Sequence, residues 1–220
     1  MNADADKIRE IAKQLLAEGT VEVVVGYEEG SLPLRTRPCF VTDPDDTDRL
    51  VWNASCRNNL AVYLRPLFEK PARAKEFTLP KVGIVAKGCD CKSIVGLLKE
   101  HQFPRENLVI IGVPCAGMVN PDKIKAALDG ASPVSCSDGD NGVVVVTTDA
   151  GEKKLDREDC LQEACLECNH PSPELADVEL EGSSRPAVGE KYARVAEFEA
   201  RSPQEKWQYV VEEMSRCIRC

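Results

Sequence analysis

Lys81-Val-Gly-Ile-Val-Ala-Lys-Gly88, followed by Cys89-Asp-Cys-Lys-Ser-Ile-Val-Gly-Leu-Leu-Lys-Glu-His101 and then Asn107-Leu-Val-Ile-Ile-Gly-Val113, decides the fold. The outer pieces are short and almost wholly apolar, as strands buried on both faces are. The middle piece places Ile94, Val95, Leu97 and Leu98 on a helical period. A strand, a crossover of that length and a second strand make the two strands parallel, joined by a right-handed connection. The expected class is therefore α/β, a parallel-containing sheet with flanking helices.

Upstream, Ile8, Ile11, Leu15 and Leu16 predict an amphipathic helix over 3–18, with Gly19 as its stop signal. Val21–Val25 reads as a strand, and 35–42, with Pro33, Pro38 and Pro44 in and around it, as an edge strand or loop. Residues 58–68 read as helical but interrupted by Pro66. Downstream, Pro121–Leu128 opens a helix on its proline. Val143–Thr148, between two turn sequences, reads as a strand in a hairpin excursion. A helix is expected over Leu155–Cys168, ended by the loop Asn169-His-Pro-Ser-Pro173. Gly182-Ser-Ser-Arg-Pro186 is the linker candidate. It divides an α/β domain, 1–182, from a charged helical tail, 183–220, whose apolar contacts are Phe198, Trp207, Tyr209, Val210 and Met214.

The composition is that of a globular chain, with 43% hydrophobic and 30% charged among 220 residues. Twenty-eight basic against 37 acidic residues leave a net charge of −9, which argues against nucleic acid as a partner. No apolar run approaches the roughly 20 residues that cross a bilayer, so no membrane is expected. The start lacks a basic and apolar leader, so a cytoplasmic place is expected. Eleven cysteines then need an explanation, because a chain of this size builds a core without disulfides. In a reducing compartment they point to metal, cluster or redox chemistry.

Both strands of a parallel crossover unit end at one sheet edge, where such folds bind ligands. Cys89 and Cys115 each fall just past such an end, and Cys165-Leu-Glu-Cys168 can add two more thiols. The expected site is an iron–sulfur cluster, 4Fe–4S in type, on Cys89, Cys115, Cys165 and Cys168. Zinc on the same thiolates, in a protein-interaction module, and a thiol–disulfide protein using Cys165 and Cys168 stand as alternatives. Lys87 and backbone N–H groups near Gly88 and Gly117 are expected to face the cluster, and Gly83, Gly88, Gly112 and Gly117, which bracket the two sheet-end turns, to permit close backbone approach to it or to a flavin phosphate. Cys91 either replaces Cys89 or flanks it. Cys39, Cys56, Cys136 and Cys160 read as small buried hydrophobes, and His170, beside Pro171, as a surface residue. The closing Cys217-Ile-Arg-Cys220 is the opening half of a ferredoxin-type run and cannot close a cubane alone. No Walker-type or G-x-G-x-x-G phosphate loop is present.

The segments 81–97 and 106–118, Cys165-x-x-Cys168 with its proline loop, and Ser215-Arg-Cys-Ile-Arg-Cys220 together resemble the beta-subunit family of coenzyme F420 (deazaflavin) hydrogenases and dehydrogenases, formate dehydrogenase beta subunits included. The resemblance covers about 80–220 and leaves the first 80 residues unmatched. It implies an electron-transfer subunit of an oxidoreductase complex, passing electrons between iron–sulfur clusters and a flavin such as FAD or the deazaflavin. Its partners would be other redox subunits or a ferredoxin-like protein. On this resemblance Cys89, Cys115, Cys165 and Cys168 match cluster-type positions, and Cys217 and Cys220 the start of a ferredoxin motif.

Overall fold

A computed structural model of the chain describes residues 3–72, 75–139, 142–182, 184–187 and 192–218. The first helix, α1 (Ala3–Ala17), carries Asp4 and Asp6 in its first turn, where carboxylates suit the helix dipole. Its buried stripe of Ala5, Ile8, Ala12 and Leu16 packs into the main core. The chain then enters β1 (Val23–Glu29) and returns antiparallel as β2 (Thr36–Val41), the edge strand. Pro38 is tolerated there because an edge leaves one row of N–H groups unpaired. A 3-10 turn over Leu60–Tyr63 runs into the short helix α2 (Leu64–Phe68). Pro66 lies in its first turn, where the missing N–H has no intrahelical partner anyway, so the proline does not interrupt it.

The crossover follows as β3 (Val82–Ala86), α3 (Gly88–Lys99) and β4 (Leu108–Gly112), with β3 and β4 parallel and Ile84 opposite Ile110. These two strands lie inside the sheet, and β3 is buried along its whole length, which accounts for their unbroken apolar sequence. Helix α4 (Pro121–Ala127) starts on Pro121, with Asn120 accepting from the Asp122 N–H at 2.9 Å as its cap. Strands β5 (Pro133–Asp138), β6 (Val143–Thr148) and β7 (Gly151–Asp156) form a separate three-stranded antiparallel sheet. Residues alternate along β6, so Val144 and Val146 join Ile124 and Leu128 in a second, smaller core.

The continuous helix expected over Leu155–Cys168 does not form. Leu155 and Asp156 finish β7, and only the single turns α5 (Arg157–Cys160) and α6 (Glu163–Leu166) follow. Asp156 caps α5 by accepting from the Glu158 N–H at 2.8 Å, which starts a new element where the sequence pattern ran on. The hairpin excursion is likewise a three-stranded meander, because β5 and β7 are polar and half-exposed and lack the apolar run that marks β6.

After the proline loop, β8 (Val178–Glu179) adds parallel to β4, completing the order β2-β1-β3-β4-β8. The tail forms α7 (Ala193–Glu199) and α8 (Pro203–Ser215). Phe198 and Tyr209 meet edge to face, with ring centroids 5.2 Å apart, but neither helix has a buried residue. Among the described residues, no helix is long and apolar enough to cross a membrane.

Candidate metal centre

Because β3 and β4 run parallel, both end at one edge, and the ladder continues one step as the Val113 N–H donates to the Ala86 carbonyl at 2.9 Å. Cys89, in the first turn of α3, and Cys115, just past β4, are delivered to that edge. The loop after α6 folds across it, and the Cys115 N–H donates to the Pro171 carbonyl at 3.0 Å. Cys89, Cys115, Cys165 and Cys168 thereby line one cavity of about 120 Å³. Cys89 is exposed and the other three are half-buried. Backbone N–H groups point at two of the sulfurs, Gly117 at Cys115 Sγ and Met118 at Cys165 Sγ, each at 3.4 Å. Among the described residues, no three His, Cys, Asp or Glu side chains are gathered to share a single metal ion. The four thiols stand around a cavity wall.

Burial pushes the Cys115 thiol up to about 11, against partial relief from the Gly117 N–H and Lys87. Cys165 is raised for the same reason, with the Met118 N–H working against it. The expected stabilisation of thiolates at this edge is therefore outweighed by desolvation in the metal-free chain. A bound cation reverses that balance, because it deprotonates its thiol ligands outright.

Lys87 does line the cavity, but its charge is already committed. Its side chain is 2% exposed, and its ammonium group lies 2.9 Å from Asp90 Oδ2 and bonds to the Tyr27 hydroxyl and the Asn58 carbonyl. It also stands over the Tyr27 ring at 4.7 Å. Burial opposes the charge, yet Asp90 and the tyrosine keep the lysine well above its usual range. Asp90 is an anchor in its own right, accepting from the Lys87 N–H at 2.8 Å and from the Leu60 N–H at 3.0 Å. It holds the start of α3, and hence Cys89, against the 3-10 turn.

Gly88 and Gly117 line the cavity, and Gly88 and Gly112 also admit a neighbouring loop. A Cβ on Gly88 would stand 2.0 Å from the His170 carbonyl and 2.6 Å from that of Ser172. On Gly112 it would collide with Ala176 and Pro173. The close approach these glycines permit is that of the 170–176 loop. Gly117 lines the cavity with φ of +93°, a left-handed conformation that suits glycine, and its would-be Cβ meets Leu161.

Cys91 turns away. It is 3% exposed within the main core, and its thiol donates to the Leu175 carbonyl at 3.7 Å, so Cys89 is the cavity thiol of the pair. Cys39 and Cys56 are also in the main core and Cys160 in the second one, with Cys136 half-buried against it. His170 lines the cavity instead of lying free on the surface, with Nδ1 3.4 Å from Glu174 Oε1. Cys217 is exposed beyond α8 and does not line the cavity, and Cys220 lies outside the described residues.

Two cavity residues carried no signal in the sequence. Arg185, inside the supposed linker, is strapped to the site: its N–H donates to the Cys115 carbonyl at 3.2 Å, its guanidinium bonds the Cys165 carbonyl, and Nη2 lies 2.8 Å from Glu158 Oε2. Arg57 reaches the wall from the segment between β2 and α2. On the far side of Met118 and Arg185 opens a larger cleft of about 690 Å³, lined among others by Trp52, Asp138, Asp156 and Arg157.

Residues 79–211 match the sequence profile of the family described as coenzyme F420 hydrogenase/dehydrogenase, C terminus of the beta subunit. The chain belongs to this family. The match includes all four cavity cysteines and stops short of Cys217. Among individual F420 beta subunits, the chain is 24% identical over 178 residues to the F420-dependent formate dehydrogenase 1 subunit beta of Methanococcus maripaludis. That similarity covers 76% of this chain and 44% of the relative, so the chain spans less than half of its length. The fold is shared with a chain of the F420-reducing NiFe hydrogenase complex from Methanosarcina barkeri, at a TM-score of 0.61 and 16% identity, covering 94% of this chain and 80% of that one. At that coverage the first 78 residues, outside the family match, belong largely to the shared fold.

Proposed function

We propose that this chain is an electron-transferring part of an oxidoreductase complex, and that Cys89, Cys115, Cys165 and Cys168 hold an iron–sulfur cluster at the rim of the parallel sheet. The observation that carries this reading is the convergence of four thiols, from three separate stretches of chain, on one cavity. The donor set fits the group: four sulfurs, two backbone N–H donors aimed at sulfur, and three cationic side chains on the same wall. When bound, such a cluster supplies one-electron transfer. The chain's own part is to give up thiol protons, to hold negative charge with the Gly117 and Met118 N–H groups, and to bury most of the site behind the 170–176 loop. Exposed Cys89 marks the side from which a partner approaches.

The family, and the formate dehydrogenase relative, support other redox subunits as partners, with the deazaflavin as the ultimate carrier. The exposed Cys217 suits a ferredoxin-like partner. The neighbouring 690 Å³ cleft does not fit an FAD diphosphate: Arg157 pairs with Asp138, Arg185 pairs with Glu158, and Asp156 adds further negative charge.

Anaerobic reconstitution with iron and sulfide tests the proposal. Broad visible absorption is expected in the wild-type chain and its loss in Cys115→Ser and Cys165→Ser. A colourless wild-type protein holding stoichiometric zinc, or showing only a two-electron Cys165–Cys168 couple, would contradict it.

A further inference from the structure

We propose that Arg185 is the positioning residue of the thiol cavity, clamping Cys115 to the Cys165-x-x-Cys168 turn and setting a positive charge beside the cluster those cysteines hold. The inference rests on the cluster reading above and deepens it by one residue. Arg185 belongs to the stretch that reads in sequence as a linker.

The thiols come from three stretches far apart in the chain, and this fourth stretch holds two of those three together. The Arg185 N–H donates to the Cys115 carbonyl at 3.2 Å, and its Nη1 donates to the Cys165 carbonyl. The Cys165 carbonyl also accepts from the Cys168 N–H at 3.3 Å, the bond that closes the turn between those cysteines. One residue thus grips the main chain at Cys115 and at the turn that carries two more thiols. Its Cδ lies 3.5 Å from where a Cβ on Gly117 would stand, so the side chain runs along the cavity wall between Gly117 and Cys165. Nε, between those two contacts, is buried and has no hydrogen-bond partner among the described residues. A buried donor without an acceptor is a cost in the metal-free chain, and a cluster brings acceptor sulfurs to that wall.

The charge follows from the same placement. Burial raises the Cys165 thiol, and Lys87 and Arg185 both work against it. The two cations differ in what cancels them. Lys87 pairs with Asp90, and neither side chain is more than 2% exposed, so the two charges are matched in a dry setting. Arg185, 12% exposed, pairs with Glu158, which is 59% exposed, so water screens the carboxylate more than the guanidinium. That pair leaves a net positive field on the cavity side. Uptake of one electron adds one negative charge to a cluster, so the field favours the reduced form.

Arg185→Gln, Arg185→Lys and Glu158→Gln are made in the full 220-residue chain. Each is reconstituted anaerobically beside the wild type and measured for midpoint potential, by titration with dithionite, and for iron loss to a chelator. In Arg185→Gln the reduction equilibrium is expected to shift about tenfold toward the oxidised form, a potential roughly 59 mV lower for one electron. Iron loss from it should be several-fold faster. Arg185→Lys keeps the charge without the planar fork, so its potential should stay near that of the wild type while its iron loss stays fast. Glu158→Gln removes only the opposing charge and should move the equilibrium about twofold the other way, roughly 18 mV higher. A loaded Arg185→Gln protein with wild-type potential and iron retention overturns the inference, as does Arg185→Lys with wild-type iron retention or Glu158→Gln with an unchanged potential. Should Arg185→Gln fail to fold or to load, the other two variants decide by the same criteria. If the wild-type chain itself takes up no iron, the cluster reading falls first, and this inference with it.

Discussion

Asp90 accepts hydrogen bonds from the Lys87 and Leu60 N–H groups and an ion pair from the buried Lys87 ammonium, so one carboxylate ties the end of β3, the start of α3 and the preceding 3-10 turn. Removing a single partner leaves the other charge buried and unmatched. Asp90→Asn should therefore cost about 3–5 kcal/mol in urea unfolding. A loss under 1 kcal/mol (about the worth of a surface pair) would show that Lys87 finds water instead. The buried thiols set the pH response. Desolvation lifts Cys56 from 9.0 to about 12, and burial with Glu28 nearby lifts Cys39 to about 11. Their folded pKa values exceed the unfolded one, so their contribution is fully present below pH 9 and is lost as pH rises toward 11–12. Unfolding midpoints measured across the alkaline range should fall above pH 9, and a flat profile there would mean these thiols titrate normally.

The elements that came through from sequence are those with dense local signals. In β3, α3 and β4 strand period, helix period and crossover length agree, so the sheet edge and the nearness of Cys89 and Cys115 were both legible. The turns α5 and α6 were not, because the Asp156 cap and the polar edge strand β7 interrupt a stretch that still carries helical spacing. Arg57 and Arg185 were illegible for another reason: each reaches the cavity by tertiary docking of a segment with no pattern of its own. Gly88 shows the same limit. Its small size was legible, but the neighbour that requires it, the loop carbonyl of His170, was not. Gly88→Ala must displace that loop, at an expected cost of about 1–3 kcal/mol, together with weaker retention of any metal held by Cys168. Unchanged unfolding and unchanged metal retention would show that the loop shifts freely.

At the scale of the whole molecule, the main core backs the thiol cavity through Cys115, Met118 and Cys165, and the tail helices add no residue to either core. Helices α7 and α8 have no buried residue, while Trp207 and Met214 are 70% and 64% exposed. The ion pair between Arg194 and Glu163 is exposed at both ends and is worth little. We propose that the α/β unit extends through Arg185, and that a chain ending at 187 unfolds at the full-length midpoint. A drop of several degrees on that truncation would place the tail within the cooperative unit. The central claim concerns the four sulfurs, and its most direct measurement is iron and sulfide content with electron paramagnetic resonance of the reduced, anaerobically reconstituted chain. The account predicts about four irons per chain and a reduced-cluster signal that disappears in Cys89→Ser and Cys168→Ser but survives in Cys91→Ser. An iron-free wild-type chain, or a signal that depends on Cys91 and not on Cys89, would contradict it.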